Sequence, residues 1–284
     1  MNNLLGSTIG PYQIIDSLGE GGMAVVYKVW DTTRLVPLAL KMLKPDFAED
    51  RIFLRRFEKE AATLSRLQHP NIVRFYGLES HQSVYFLVMD YIEGVTLRRQ
   101  IFDRARPFTP EEVRQPISQV LAALNYAHQL GIIHCDIKPA NILISSNGNA
   151  LVSDFGIARL TESSTLTNAG LGTPAYIAPE QIAGQPPTPQ TDLYSLGIVL
   201  YEMLSGGERP FTGERANNSA STTDRILWEK VNAEPVPLSQ FAPALPPDLI
   251  SLVMSCLARN PGQRPASASQ MLGSLMLAST SAKA

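Results

Sequence analysis

From Tyr12 to Val88, apolar and polar positions alternate in short runs, "YQIIDSL", "AVVYKVWD", "LVPLALKML" and "VYFLVMDY". They are rich in the β-branched and aromatic residues that suit a pleated, half-buried surface, and they predict a strand-rich first third. One helix interrupts it. In "RIFLRRFEKEAATLSRLQHP", Phe53, Phe57, Leu64 and Leu67 mark one face, and the step that completes their four-three series falls on Glu60. From Thr109 onward the period becomes helical. Thr109, Pro110 and Glu112 occupy N-cap, first-turn and N3 positions, a capping box with proline where its missing N–H costs nothing. Val113, Ile117, Val120, Leu121 and Leu124 carry that helix to a stop at Gly131. "TDLYSLGIVLYEMLSG" and "PDLISLVMSCLARN" predict later helices, and the polar "GERANNSASTTD", Gly213 to Asp224, predicts a surface loop. The fold class is α+β, a small β-rich lobe followed by a larger helical one, joined near "DYIEGVTL", where Gly94 interrupts the pattern.

Composition mostly excludes. A chain of 284 residues, 44% hydrophobic, can bury a large core as one two-lobed domain or two small ones. Its 24 Lys and Arg against 26 Asp and Glu, a net charge of -2, offer no basic tract for nucleic acid or an anionic membrane. Cys135 and Cys256 cannot build a disulfide framework, and "MNNLLGSTIGPYQII" lacks the regions of a signal peptide, so a reducing, cytosolic setting is expected. The apolar run "LYSLGIVLYEMLSGG" is broken by polar residues and falls short of the ~20 needed to cross a bilayer.

Candidate chemistry begins at "LGEGGMAVVYKVWD", which fits G-x-G-x-x-A at Gly19, Gly21 and Ala24. A Rossmann phosphate loop would open a helix, whereas "VVYKVW" reads as a strand, so the cluster is a hairpin tip; a plain turn is the simpler alternative. Glu60, on the inward face of its helix, needs a cation, and Lys41, late in "VPLALKML", is the candidate; alternatively Glu60 sits at the wet edge of the stripe and Lys41 merely ends a strand. In "NILISSNGNALVSDFG", Asn147-Gly148 is a two-residue hairpin signal, and pairing outward from it sets Ser145 opposite Ala150, Ile142 opposite Ser153 and Asn141 opposite Asp154. An amide oxygen and a carboxylate so placed suit Mg²⁺, although a capping Asn and a solvated Asp would give the same letters. Asp136, between His134 and that pair, could take a hydroxyl proton, and Lys138 could neutralise a transferring phosphoryl group. His134, preceded by "GII", reads as a packed core histidine rather than a base.

Together these segments resemble the signature set of the protein kinases over nearly the whole chain. In order, "GEGGMAVV" is similar to the glycine-rich loop, "LALK" to the strand bearing the phosphate-binding lysine, Glu60 to its helix partner and "HCDIKPAN" to the catalytic loop; "DFG" resembles the metal motif and "GTPAYIAPE" the end of the activation segment. The resemblance implies a bilobal fold with an N-lobe at 1–90, a hinge at 91–97 and a C-lobe at 98–284. It implies ATP between the lobes, with Gly19, Gly21 and Gly22 at the phosphates, adenine on the backbone of Asp90 and Ile92, Met89 as gatekeeper, and Val26, Ala39 and Leu143 around the ring. Lys41, paired with Glu60, would bind the α and β phosphates; Asn141 and Asp154 would hold Mg²⁺, or Mn²⁺ in its place; Asp136 would orient the substrate hydroxyl. Lys138 and Thr173 match the serine/threonine class, so the implied substrates are proteins bearing Ser or Thr. Glu180 would pair with Arg264, and Asp192 would brace the catalytic loop. The compact style resembles bacterial members of the family.

Two positions depart from the family pattern. Ala24 replaces the third loop glycine, a small residue compatible with activity. Cys135 stands where relatives usually carry an arginine that pairs with a phosphorylated activation segment, so activity is expected not to depend on such pairing, although Thr165 and Thr167 offer autophosphorylation sites. Cys135 reads as a small residue filling the space of the absent arginine; a redox switch is the sharper alternative. A pseudokinase scaffold and a small-molecule kinase are the rival functions. Lys41, Asp136, Asn141 and Asp154, all present, speak against the first, and "GTPAYIAPE" speaks against the second.

Overall fold

A computed structural model describes residues 4–22, 24–50, 54, 58, 61, 64–155, 174–216 and 221–278. These fall into two compact units, one up to Glu93 and one from Gly94 onward.

The first unit is built on an antiparallel sheet of six strands in the order β1-β2-β3-β4-β6-β5. The strands are β1 Thr8–Ile9, β2 Tyr12–Glu20, β3 Ala24–Asp31, β4 Val36–Leu43, β5 Phe75–His81 and β6 Val84–Asp90. Alternation announces β2, β3, β4 and β6. The strand β5, "FYGLESH", does not alternate and takes its strand character from pairing along β6. Val25, Tyr27, Val29, Leu38, Leu40, Met42, Phe86 and Val88 turn one face into an apolar core. The register sets Val26 opposite Lys41, Lys28 opposite Ala39 and Ala39 opposite Met89, so these residues share the other face. Leu54, Glu58, Ala61 and Leu64 are helical as the stripe predicts, and Ala61, Leu64 and Leu67 are buried. Phe53, Phe57 and Glu60 lie outside the described residues, as do Thr165, Thr167 and Thr173.

The second unit opens with β7 Gly94–Thr96, which joins β8 Ile142–Ser145 and β9 Ala150–Val152 in a three-stranded sheet, and with α1 Leu97–Phe102. A side chain at Gly94 would bring its Cβ within 2.1 Å of the Ile144 carbonyl oxygen, so β7 pairs with β8 only through glycine. The helix α2 spans Pro110–Gln129 with both halves of the Thr109/Glu112 capping box formed, and all five stripe residues are buried. The strongly buried α4, Pro189–Ser205, packs against α2 and against α6, Pro247–Cys256; the short α3 is Pro179–Ile182. α7, Ala268–Ala278, covers α2. Among the described residues no helix is long and apolar enough to cross a membrane.

Two expectations need correction. The helix α5, Thr222–Asn232, starts inside the segment assigned to a loop: Ser221 Oγ accepts from the Asp224 amide, so Thr222 to Asp224 form a capped first turn whose polarity imitates a loop. The β8–β9 hairpin is also shifted by one residue. Ile142 pairs with Val152 and Ile144 with Ala150, which sets Asn141 beside Ser153, not Asp154, and the Ser153 amide donates to the Asn141 carbonyl at 2.9 Å. A two-residue type I′ turn needs positive φ at both central residues. Here Gly148 has φ 79 and Asn147 does not share it, so the chain makes a three-residue loop closed by the Ser145 amide bonding Asn149.

Candidate active site

The residues of "HCDIKPAN" lie in the second unit, on the segment between α2 and β8. Asp192, in the first turn of α4 and with no exposed side-chain surface, organises it. Its Oδ1 accepts from the Cys135 amide at 2.8 Å, and its Oδ2 accepts from the His134 amide at 2.9 Å and contacts His128 Nε2 at 2.8 Å. This arrangement ties the loop to α4 at Asp192. It also explains how Cys135 is held at φ 67, a left-handed conformation that costs a non-glycine residue about 1–2 kcal/mol. Cys135 is buried, with its Sγ 3.7 Å from the Ile133 carbonyl and its own carbonyl receiving Gln181 Nε2 at 3.3 Å.

His134 is fully buried, as expected of a core histidine. Its Nδ1 accepts from the Asp136 amide at 3.2 Å, so Nε2 carries the proton and donates it to the Ser153 carbonyl at 2.8 Å. With both nitrogens engaged and its ring 4.5 Å from that of Phe155, His134 ties the loop to the "DFG" strand end.

Asp136, half-buried, is the centre of this loop. One oxygen, Oδ2, accepts from Lys138 Nζ at 2.7 Å and from Asn141 Nδ2 at 2.9 Å, while Asn141 Nδ2 also reaches the Asp136 carbonyl at 2.8 Å. Among the described residues Oδ1 has no such bond, and the two cross-links fix where it points. An Asn whose nitrogen is spent on Asp136 offers its oxygen as an acceptor. Asp154 follows at φ 60, outside strand geometry, with Ser153 Oγ 3.4 Å from its Oδ2. Asn141 and Asp154 are therefore neighbours through the bond of Asn141 to Ser153 and the turn at Asp154, not through the cross-strand pairing read from the sequence. Their donor types fit a hard cation. Among the described residues no three His, Cys, Asp or Glu gather, so such a cation would complete its shell with water and phosphate.

In the first unit the glycine cluster is a hairpin tip between β2 and β3, closed by the Gly21 amide on the Ala24 carbonyl at 2.8 Å. A Cβ at Gly19 or Gly22 would meet nothing within 4 Å, and neither has positive φ. The hairpin itself does not require a glycine at either position. Val26, Ala39, Lys41 and Met89 share the sheet face away from the apolar core. Asp90 pairs its amide with the Arg74 carbonyl at 2.9 Å and its carboxylate with Tyr76 Oη at 2.7 Å; Ile92 follows, half-buried. Leu143 lies on β8 of the second unit.

The predicted Glu180–Arg264 pair is present, buried and bidentate, at 2.7 and 2.8 Å. Several contributors escaped the sequence reading. His128 carried a signal, since it continues the stripe Ile117, Leu121, Leu124 with a four-residue step and so had to be a buried polar group. Ser153, Gln181 and Lys230 carried none.

The protein kinase domain family model matches residues 12–275. The serine/threonine-protein kinase PrkC of Bacillus subtilis is 40% identical over 271 residues, 94% of this chain and 40% of PrkC. PknB of Mycobacterium tuberculosis is 39% identical over 273 residues, 93% of this chain and 42% of PknB. The chain thus spans about two fifths of the length of these curated relatives. The crystal structure of the Mycobacterium tuberculosis PknI kinase domain is 28% identical, with a TM-score of 0.75, and the match covers 96% of this chain and 98% of that one. The order of motifs, the fold and these similarities agree: the chain belongs to the protein kinase family, among the bacterial Hanks-type serine/threonine kinase catalytic domains.

Proposed function

We propose that this domain transfers the γ-phosphate of ATP to Ser and Thr hydroxyls of proteins, itself included. The observation that carries the reading is Asp136, whose Oδ2 is fixed by Lys138 and Asn141 at 2.7 and 2.9 Å while Oδ1 is left to accept a hydroxyl proton. Lys138 sits where it would offset charge on the transferring group, and Lys41, on the coreless sheet face, would bind the α and β phosphates. Glu60 would be its partner. Gly19, Gly21 and Gly22 would let backbone amides approach those phosphates, and adenine would bond the backbone of Asp90 and Ile92, flanked by Val26, Ala39 and Leu143 with Met89 behind. Asn141 and Asp154 would hold the cation, Mg²⁺ or Mn²⁺, which would supply neutralisation of phosphate charge. Thr173 and the segment up to Glu180 would seat the polypeptide. The test is label transfer from radiolabelled ATP to a generic basic protein by the wild type and by Asp154→Ala. Label with the wild type alone supports the reading; equal label with both refutes it, and no label with either leaves a pseudokinase scaffold.

Cys135 supports a reading of regulation. The bonds of Asp192 to the His134 and Cys135 amides hold the loop from within the domain, and the burial of the thiol favours packing over redox sensing. The double variant Thr165→Ala/Thr167→Ala is therefore expected to keep its kcat within about threefold, under ~1 kcal/mol of barrier. Abolished activity in a folded double variant would show that the loop does need a phosphorylated segment.

A further inference from the structure

The helix α5 is inside out. It buries Glu229 and Lys230, 0% and 1% exposed, and leaves Trp228 and Val231 at 43% and 36%. Glu229 has a local account: its carboxylate accepts from the Thr212 and Arg215 amides at 3.1 and 2.6 Å and from the Arg215 guanidinium, fixing the loop before the helix. Among the described residues Lys230 has no carboxylate partner. Its Nζ donates to the Ile177 carbonyl at 2.9 Å and meets Tyr194 Oη at 3.4 Å, lying 4.8 Å from the Tyr194 ring centre and 5.4 Å from that of Phe211. Burial pushes this amine well below the ordinary lysine range, and Arg209 and Arg264 push the same way. The neighbouring carboxylates Glu180 and Glu202 are already spent on Arg264 and Arg209. A buried cation with one good hydrogen bond is costly, so the bond itself is the feature to explain.

Ile177 lies in the turn between Pro174 and Ala178, immediately before α3. Three side chains hold that turn from below: Ser195 Oγ donates to the Tyr176 carbonyl at 2.9 Å, Tyr176 Oη donates to Glu202 at 2.7 Å, and Lys230 takes the next carbonyl. On the solvent side α3 and α5 part around a groove of about 1010 Å³ lined by Pro179, Ile182, Val231 and Pro235. The Lys230 bond therefore ties the turn before α3 directly to α5.

We infer that Lys230 is a positioning residue for the protein substrate, holding the Ile177 carbonyl so that the Pro174–Ala178 turn is set before the polypeptide arrives. The inference rests on the proposed protein kinase activity, because this turn closes the segment read as the polypeptide ledge. It makes no contact with ATP or with Asp136.

The test is Lys230→Met, which keeps the length of the side chain and removes the donor. Its unfolding midpoint should match or exceed that of the wild type, since an apolar isostere replaces a buried charge. With the generic basic protein, KM should rise about fivefold or more, ~1 kcal/mol of lost ground-state binding. The KM for ATP and the slow transfer to water should stay within twofold. An unchanged protein KM overturns the inference, and so does a parallel loss of protein phosphorylation and ATP hydrolysis, which would mark a merely structural role. Should Lys230→Met fail to fold, Ser195→Ala releases the adjoining Tyr176 carbonyl without touching a charge, and an unchanged protein KM in that variant overturns the inference equally. The wild type measured alongside keeps the two readings apart: no transfer to protein in the wild type refutes the proposed function itself.

Discussion

Asp154→Ala should lower phosphoryl transfer by about a thousandfold, a barrier increase of ~4 kcal/mol, the size expected if Asp154 is, as proposed, one of two protein ligands to a charge-neutralising cation. The backbone makes the choice of variant informative. Asp154 sits at φ 60, and Ala pays about 1–2 kcal/mol there, whereas Asn, with a short polar side chain, visits that region readily and Gly pays nothing. Stability should therefore order as Gly and Asn above Ala, read by urea denaturation, while all three variants lose transfer alike in single-turnover assays. Charge and strain are separated in this way. Transfer at the wild-type rate in Asp154→Asn would remove the carboxylate from the mechanism, and Ala as stable as Gly would show that the turn is not strained.

What the sequence disclosed depended on how local its cause was. The capping box at Thr109 and Glu112, the stripe of α2 and the hairpin nature of the glycine cluster follow from spacing within one turn, and all three stand as expected. The β8–β9 register failed because Asn-Gly is compatible with two loop lengths, and only the φ of Asn147 in the folded chain distinguishes them. A slip of one residue changes which side chains face each other, and so it removed the argument that paired Asn141 with Asp154. The proposed role of both residues then rests on the resemblance, and in the folded chain Ser153 is what connects them, through its amide to Asn141 and its hydroxyl to Asp154. Glu180 and Arg264, 84 residues apart, were visible only through the motif they share with relatives. Lys230 was invisible for a physical reason: in "LWEKVN" the apolar positions suggest a helix face containing Trp228 and Val231, yet contacts distant in sequence, with Ile177 and Arg215, turn the charged face inward.

Arg264→Ala should cost about 3–5 kcal/mol of the stability of the second unit, because it strands a buried carboxylate. Both partners are hidden, and Arg264 is bound on every side: besides the two contacts to Glu180, its Nε donates to the Ala258 carbonyl at 2.8 Å, Nη1 to that of Gln190 at 3.0 Å and Nη2 to that of Arg259 at 3.1 Å. The guanidinium thus pins α3 to the start of α4 and to the end of the segment after α6, which no apolar residue could do by hydrogen bonding. Glu180→Leu/Arg264→Met should lose much less than the sum of the single variants, leaving a coupling of about 2–3 kcal/mol in a double-mutant cycle. The pH dependence supplies an independent sign. Burial alone would raise the Glu180 carboxyl, but the bonds from Arg264, with that of Thr191 Oγ1 at 2.8 Å, hold it below its ordinary value of 4.5. Its contribution in the wild type is therefore complete above about pH 4.5 and is lost as pH falls through the depressed folded-state value. In Arg264→Ala the burial is unopposed by the guanidinium, the carboxyl moves above 4.5, and the folded state gains protons first on acidification. The stability gap between variant and wild type should then narrow from pH 7 to pH 5. A gap that stays constant over that range, or a single variant no less stable than the double, would mean that the pair is not held as a buried ion pair in solution.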